Sequence, residues 1–166
     1  MLRQRDYAIA AVELGETFAQ GLRKNFPQAR VIEGDANIIE VSGRFDVTTA
    51  IEFVQNLDET SVRKFLARTA QATSSVVISV SNRQSIHGLW VAYRRFQKSF
   101  VHTYTPKQIE AMLEDAGFVV TYRKGVWLLT PIALLPDFRL PLIPAWFARI
   151  VNLIGDRVFP RLCHLY

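Results

Sequence analysis

The chain has 166 residues, 49% hydrophobic and 21% charged, enough for one domain with one core and too apolar for intrinsic disorder. Its formal charge of +5 permits an acidic ligand or membrane surface without requiring one, and its few basic residues, not interleaved with a stacking platform, argue against a nucleic-acid substrate. Cys163 is the only cysteine, which excludes an internal disulfide and a cysteine metal cluster and makes a reducing, cytoplasmic setting the expectation; Cys163 and His164 share no partner motif, so no metal is assigned.

The opening MLRQRDYAIAAVEL lacks the long apolar core and cleavage site of a signal peptide, and none is expected. Residues 8–12 form an apolar run ending at Glu13 and read as a strand. Phe18, Leu22 and Phe26, spaced i, i+4, i+8, define one face of a helix over 16–26, which Pro27 stops. Strands are expected at 29–32 and 45–49, joined by a loop through Gly43. Asp58 to Ser61 open a helix whose buried face is Val62, Phe65, Leu66 and Thr69. SVVISV at 75–80 is the fourth strand.

Residues 85–100 read as helix, with Leu89, Tyr93, Phe96 and Phe100 on one face and Arg94, Arg95 and Lys98 largely off it. Thr105 is an N-cap, Pro106 fits the first helical position, Gln108 completes a capping box, and Gly117 is the C-terminal stop. Residues 118–122 and 126–130 are strand-like. From 131 the chain becomes Pro-rich and apolar, its longest uncharged stretch too short for the roughly 20 residues that span a bilayer, with an amphipathic helix at 145–154. The order β-α-β-β-α-β-α-α-β-β predicts an α/β fold with a mostly parallel sheet. Residues 1–130 read as the α/β core, and 131–166 as a cover belonging to the same domain.

In an open α/β sheet, ligands sit outside the carboxyl ends of the strands, and Asp35 and Glu52 fall at such ends. Ala11-Val12-Glu13-Leu14, Glu33-Gly34-Asp35-Ala36 and the run from Phe45 to Leu57 each close an apolar stretch in this way. With Ser79-Val80-Ser81-Asn82, Tyr104-Thr105-Pro106 and Leu113 to Phe118, they make the chain resemble the class I, Rossmann-like S-adenosylmethionine-dependent methyltransferases over about residues 7–126. The resemblance implies helices on both faces of the sheet, S-adenosylmethionine as cofactor and methyl transfer as activity. It assigns the ribose hydroxyls to Glu13 with Leu14 beside it, the adenine to Asp35 and Ala36, and the sulfonium end to Glu52 and Phe53.

The family's first strand and its GxGxG turn have no match here, and Leu162 to Tyr166 resemble only the start of its last edge strand. The resemblance therefore implies an incomplete sheet, a fragment with a gap between the strands at 8–12 and 45–49, where a strand from a second copy in a homo-oligomer can also pair. Gln55-Asn56 stands where Glu-His is frequent. Each assignment has a plainer alternative: Glu13 as a solvated loop acid, Asp35 as a turn residue after Gly34, Phe53 as core. On the acceptor side, His87, His102 and Tyr104 are the candidate catalytic bases. Arg94, in its basic cluster, can hold an acidic group, and Trp90 can line an apolar pocket. The expected acceptor is a small or lipid-linked molecule. The tail over 131–160 is a cover on the sheet edge or a peripheral membrane contact. The alternative function is a non-catalytic remnant of the fold acting as a binding module.

Overall fold

Short apolar runs and amphipathic helices follow one another along the chain, and most of the described ones form close to where their residues place them. The computed structural model describes residues 7–39, 41–85, 102–125 and 145–158. In chain order the elements are β1 (Ala10–Glu13), α1 (Glu16–Asn25), β2 (Arg30–Glu33), β3 (Phe45–Ala50), a 3-10 turn (Val54–Asn56), α2 (Glu59–Ala72), β4 (Thr73–Ile78), α3 (Pro106–Asp115) and α4 (Ala145–Val158). They fall into two compact units, Met1–Gly43 and Arg44–Tyr166.

In the N-terminal unit, β1 and β2 pair in parallel, with Ala10 opposite Arg30 and Glu13 opposite Glu33. A parallel pair needs a crossover, and α1 supplies it. Glu16 lies in its first turn and Arg23 and Lys24 in its last, each sign favourable to the helix dipole. Ala19 is its fully buried residue; Leu22 and Phe26 are half-buried, while Phe18 is 72% exposed. The expected Phe18–Leu22–Phe26 face is therefore shifted, with a small residue rather than an aromatic ring at the point of closest packing.

In the C-terminal unit, β3 and β4 pair in parallel from Phe45 opposite Thr73 to Ala50 opposite Ile78, with α2 as the crossover. Asp58 caps α2: its Oδ1 accepts from the Ser61 N–H at 2.7 Å. That bond, joined by the Ser61 side chain and by the charges of His102 and Lys64, holds the Asp58 carboxyl below the usual range against the opposing effect of burial. The core joins Val54, Val62, Leu66, Val80, Tyr104, Ile109, Met112 and Leu113. Thr105 caps α3 through the full reciprocal box with Gln108, and Pro106 opens the helix. Gly117 ends it at φ 91°, a left-handed turn that lets the Phe118 N–H donate to the Leu113 carbonyl at 2.9 Å.

The fold is thus α/β with parallel pairing, and among the described residues the two pairs form separate two-stranded sheets. Several boundaries differ from expectation. The fourth strand starts at Thr73, where α2 passes directly into it, rather than at Ser75. Residues 118–122 form no strand, and Val119 and Tyr122 are 84% and 77% exposed; an extended run becomes a strand only when a partner takes its backbone groups. The helix at 145–154 extends to Val158. The expected helix at 85–100, apart from Ser85, and the expected strand at 126–130 lie outside the described residues.

Candidate cofactor site

Glu13 is the last residue of β1, and Asp35 follows the end of β2, so both acids stand at the carboxyl ends of adjacent parallel strands. The turn between β2 and Asp35 is glycine-dependent. Gly34 has φ 146°, and a Cβ there would come within 2.2 Å of Ile39 Cδ1. Its N–H donates to the Glu13 carbonyl at 2.9 Å, which fixes the turn after β2 to the end of β1.

Both carboxylates are half-buried and each spends one oxygen on its own loop. Glu13 Oε1 accepts from the Gly15 N–H at 2.9 Å, and Asp35 Oδ1 accepts from the Asn37 N–H at 2.7 Å. Among the described residues Glu13 Oε2 and Asp35 Oδ2 accept no hydrogen bond. An ionised carboxylate is an acceptor only, so this pair suits a ligand that presents donors, such as a sugar diol and an aromatic amine. Leu14, Phe18 and Ile38, each more than 70% exposed, belong to the segments that follow β1 and β2 and supply apolar surface there. Ala36 is half-buried in the Asp35 turn.

In the C-terminal unit, the segment after β3 is held in an unusual conformation. Glu52 has φ 53°, the only described non-glycine residue in the left-handed region. Its N–H donates to Ser79 Oγ at 2.9 Å, and its carbonyl accepts from Asn56 Nδ2 at 3.1 Å. The Glu52 side chain is exposed, and Phe53 packs its ring on Phe65 at a centroid distance of 5.1 Å. Backbone strain of this kind persists where surrounding bonds over-determine it, and it concentrates at functional sites.

His102 and Tyr104 reach the same end of this unit. The His102 N–H donates to the Gln55 carbonyl at 2.6 Å, and Ser81 Oγ donates to Gln55 Oε1. Tyr104 bridges in parallel to Asn82 and is 5% exposed, with its hydroxyl donating to the Leu57 carbonyl. Burial, then the charges of Asp58 and Glu59, push the Tyr104 phenol above its ordinary value, with Arg83 opposing. That phenol keeps its proton and is already committed to a carbonyl, so it clasps the turn after β3, whereas the His102 side chain is exposed. Gln55, Ser79 and Ser81 were not expected as organisers of this region; in the sequence they stood out only within the Gln55-Asn56 dipeptide and the Ser79-Val80-Ser81-Asn82 run. His87, Trp90 and Arg94 lie outside the described residues.

A cleft of about 400 Å³ opens elsewhere in the C-terminal unit, lined by Arg44, Phe45, Asp46 and residues 70–74. It lies at the amino ends of β3 and β4, the wrong pole for a ligand of an α/β sheet.

The fold is that of the α/β, Rossmann-like S-adenosylmethionine-dependent methyltransferases. A methyltransferase from Thermotoga maritima superposes with a TM-score of 0.56 at 18% identity, over 68% of this chain and 55% of its own. Magnesium protoporphyrin IX methyltransferase from Synechocystis, solved with S-adenosylhomocysteine bound, gives 0.57 at 13% identity, over 71% and 57%. A methyltransferase from Clostridium acetobutylicum gives 0.58 at 10% identity, over 75% and 69%. The chain thus spans little more than half the length of the first two. No family model and no curated protein matches the sequence.

Proposed function

We propose that the chain serves S-adenosylmethionine-dependent methyl transfer to a small-molecule or lipid-linked acceptor. The observation that carries this reading is the pair of half-buried acids, Glu13 and Asp35, each with an uncommitted oxygen at the carboxyl end of adjacent parallel strands in a methyltransferase fold. Glu13 would accept from the ribose hydroxyls and Asp35 from the adenine amino group, with Leu14 and Ala36 against the nucleoside. Glu52 and Phe53 are assigned to the sulfonium end.

The bound cofactor supplies an activated methyl group for in-line displacement. The protein's task is then proximity and alignment more than chemical assistance. The left-handed Glu52 and its bonds to Ser79 and Asn56 hold one loop in a set shape before any ligand arrives. An oxygen or nitrogen acceptor also needs a proton removed, a role the proposal gives to His102, whose side chain is exposed. Tyr104 would position that segment through its bond to Leu57. His87, Trp90 and Arg94 complete the proposed acceptor side.

The second reading, a non-catalytic binding module, is favoured by one observation: the 166 residues contain no GxG sequence. Calorimetric titration with S-adenosylmethionine tests both. The first reading expects saturable heat that weakens at least tenfold in Glu13→Ala and in Asp35→Ala, since each removes a charged hydrogen-bond partner. An absence of heat at millimolar ligand would leave only the binding module, with some other ligand.

A further inference from the structure

The sequence AWFARIVNLIGDRV of α4 sets Trp146, Ile150, Leu153 and Ile154 at i, i+4, i+7 and i+8, one helical arc bordered by Phe147 and Val158. An amphipathic helix of a folded domain turns such an arc to the core. Here Trp146 is 65% exposed, Leu153 59%, Val158 57%, Ile154 54%, Ile150 49% and Phe147 44%. Scattered apolar residues on a surface need no explanation, but a continuous arc does.

Charge narrows the occupant. The sequence of α4 itself carries Arg149 and Arg157 against Asp156, in a chain whose formal net charge is +5. A second copy would bring the same sign of charge to the contact. An anionic lipid surface brings the opposite sign together with an apolar phase, the combination that retains amphipathic helices with aromatic and basic residues. The 14 residues of α4 extend about 21 Å, short of the roughly 30 Å hydrocarbon core. Among the described residues no helix is long and apolar enough to cross a membrane, so a helix of this kind lies in the interface plane. We propose that α4 is an interfacial docking helix that binds the surface of an anionic bilayer.

The inference does not depend on methyl transfer, and its test needs no activity. The full 166-residue chain is floated with vesicles of phosphatidylcholine alone and of phosphatidylcholine with phosphatidylglycerol. The chain should partition onto the anionic vesicles, less onto the neutral ones, and less again as salt is raised. Ile150→Asp and Leu153→Asp should each lower the partition coefficient by roughly tenfold or more while leaving circular dichroism and the thermal melt unchanged. Failure to bind anionic vesicles, or wild-type binding by both variants, overturns the proposal. So does a wild-type dimer in light scattering that Ile150→Asp converts to monomer, because the second copy would then be the occupant.

Discussion

Glu52 offers a sharp test of the reading that its loop is shaped for a ligand at some cost in stability. A non-glycine residue in the left-handed region costs about 1–2 kcal/mol relative to one that avoids the Cβ clash. Glycine in that place relieves the clash but returns about 0.4–1 kcal/mol through the freedom of the unfolded chain. Glu52→Gly should therefore gain a net of roughly 0.5–1 kcal/mol over Glu52→Ala, which keeps the strain and loses the same side chain. The bonds from the Glu52 N–H to Ser79 Oγ and from Asn56 to the Glu52 carbonyl use backbone atoms and survive in both variants. For a chain of this size the difference corresponds to a melting temperature about 2–4 °C higher for the glycine variant at the top of that range. Differential scanning calorimetry of the two variants side by side measures it. Equal melting temperatures, or a lower one for Glu52→Gly, would refute the strain argument. On the proposed assignment of Glu52 to the sulfonium end, both variants should lose S-adenosylmethionine affinity, since both lack the carboxylate.

Leu66 is fully buried against the α3 side of the core, so Leu66→Ala should cost about 2–5 kcal/mol in urea unfolding, by lost transfer energy and the cavity left behind. Thr105→Ala removes the hydroxyl that accepts from the Gln108 N–H, leaving only the Gln108 half of the capping box at the start of α3, and should cost about 1 kcal/mol in the same assay. Tyr104 has a raised folded pKa, so its contribution to stability is present below the ordinary tyrosine value near 10 and is lost as pH rises through the higher folded value. Ultraviolet titration should find one of the five tyrosines ionising late, and Tyr104→Phe should abolish that late step while weakening the fold by about 1 kcal/mol through the lost bond to Leu57.

Features that depend on neighbours in sequence were legible without any coordinates. Thr105, Pro106 and Gln108 announced the start of α3, and Gly117 its end, because capping uses side chains within three residues of the backbone groups they satisfy. The β-branched runs at Arg30 and Phe45 were legible as strands from their composition, and the helical segments after residue 13 and after residue 58 implied parallel pairing. Glu13 and Asp35 could be placed at carboxyl ends once those strands were read, though the carboxylate oxygens they keep available could not.

What only the tertiary structure decided has a common cause: it depends on a partner distant in the chain. Tyr104 reaches a carbonyl 47 residues away, which turned a candidate base into a clasp. Residues 118–122 have the composition of a strand but no pairing, and α2 runs into β4 at Thr73 with no turn signal to mark the change. Glu52 carries no local hint of a left-handed backbone, since glutamate neither favours it nor caps its own chain there; the bonds to Ser79 and Asn56 impose it. The α4 arc was readable as a period in the sequence. Its exposure was not, because a hydrophobic pattern states only that an element wants a partner, and the folded chain decides whether that partner comes from within.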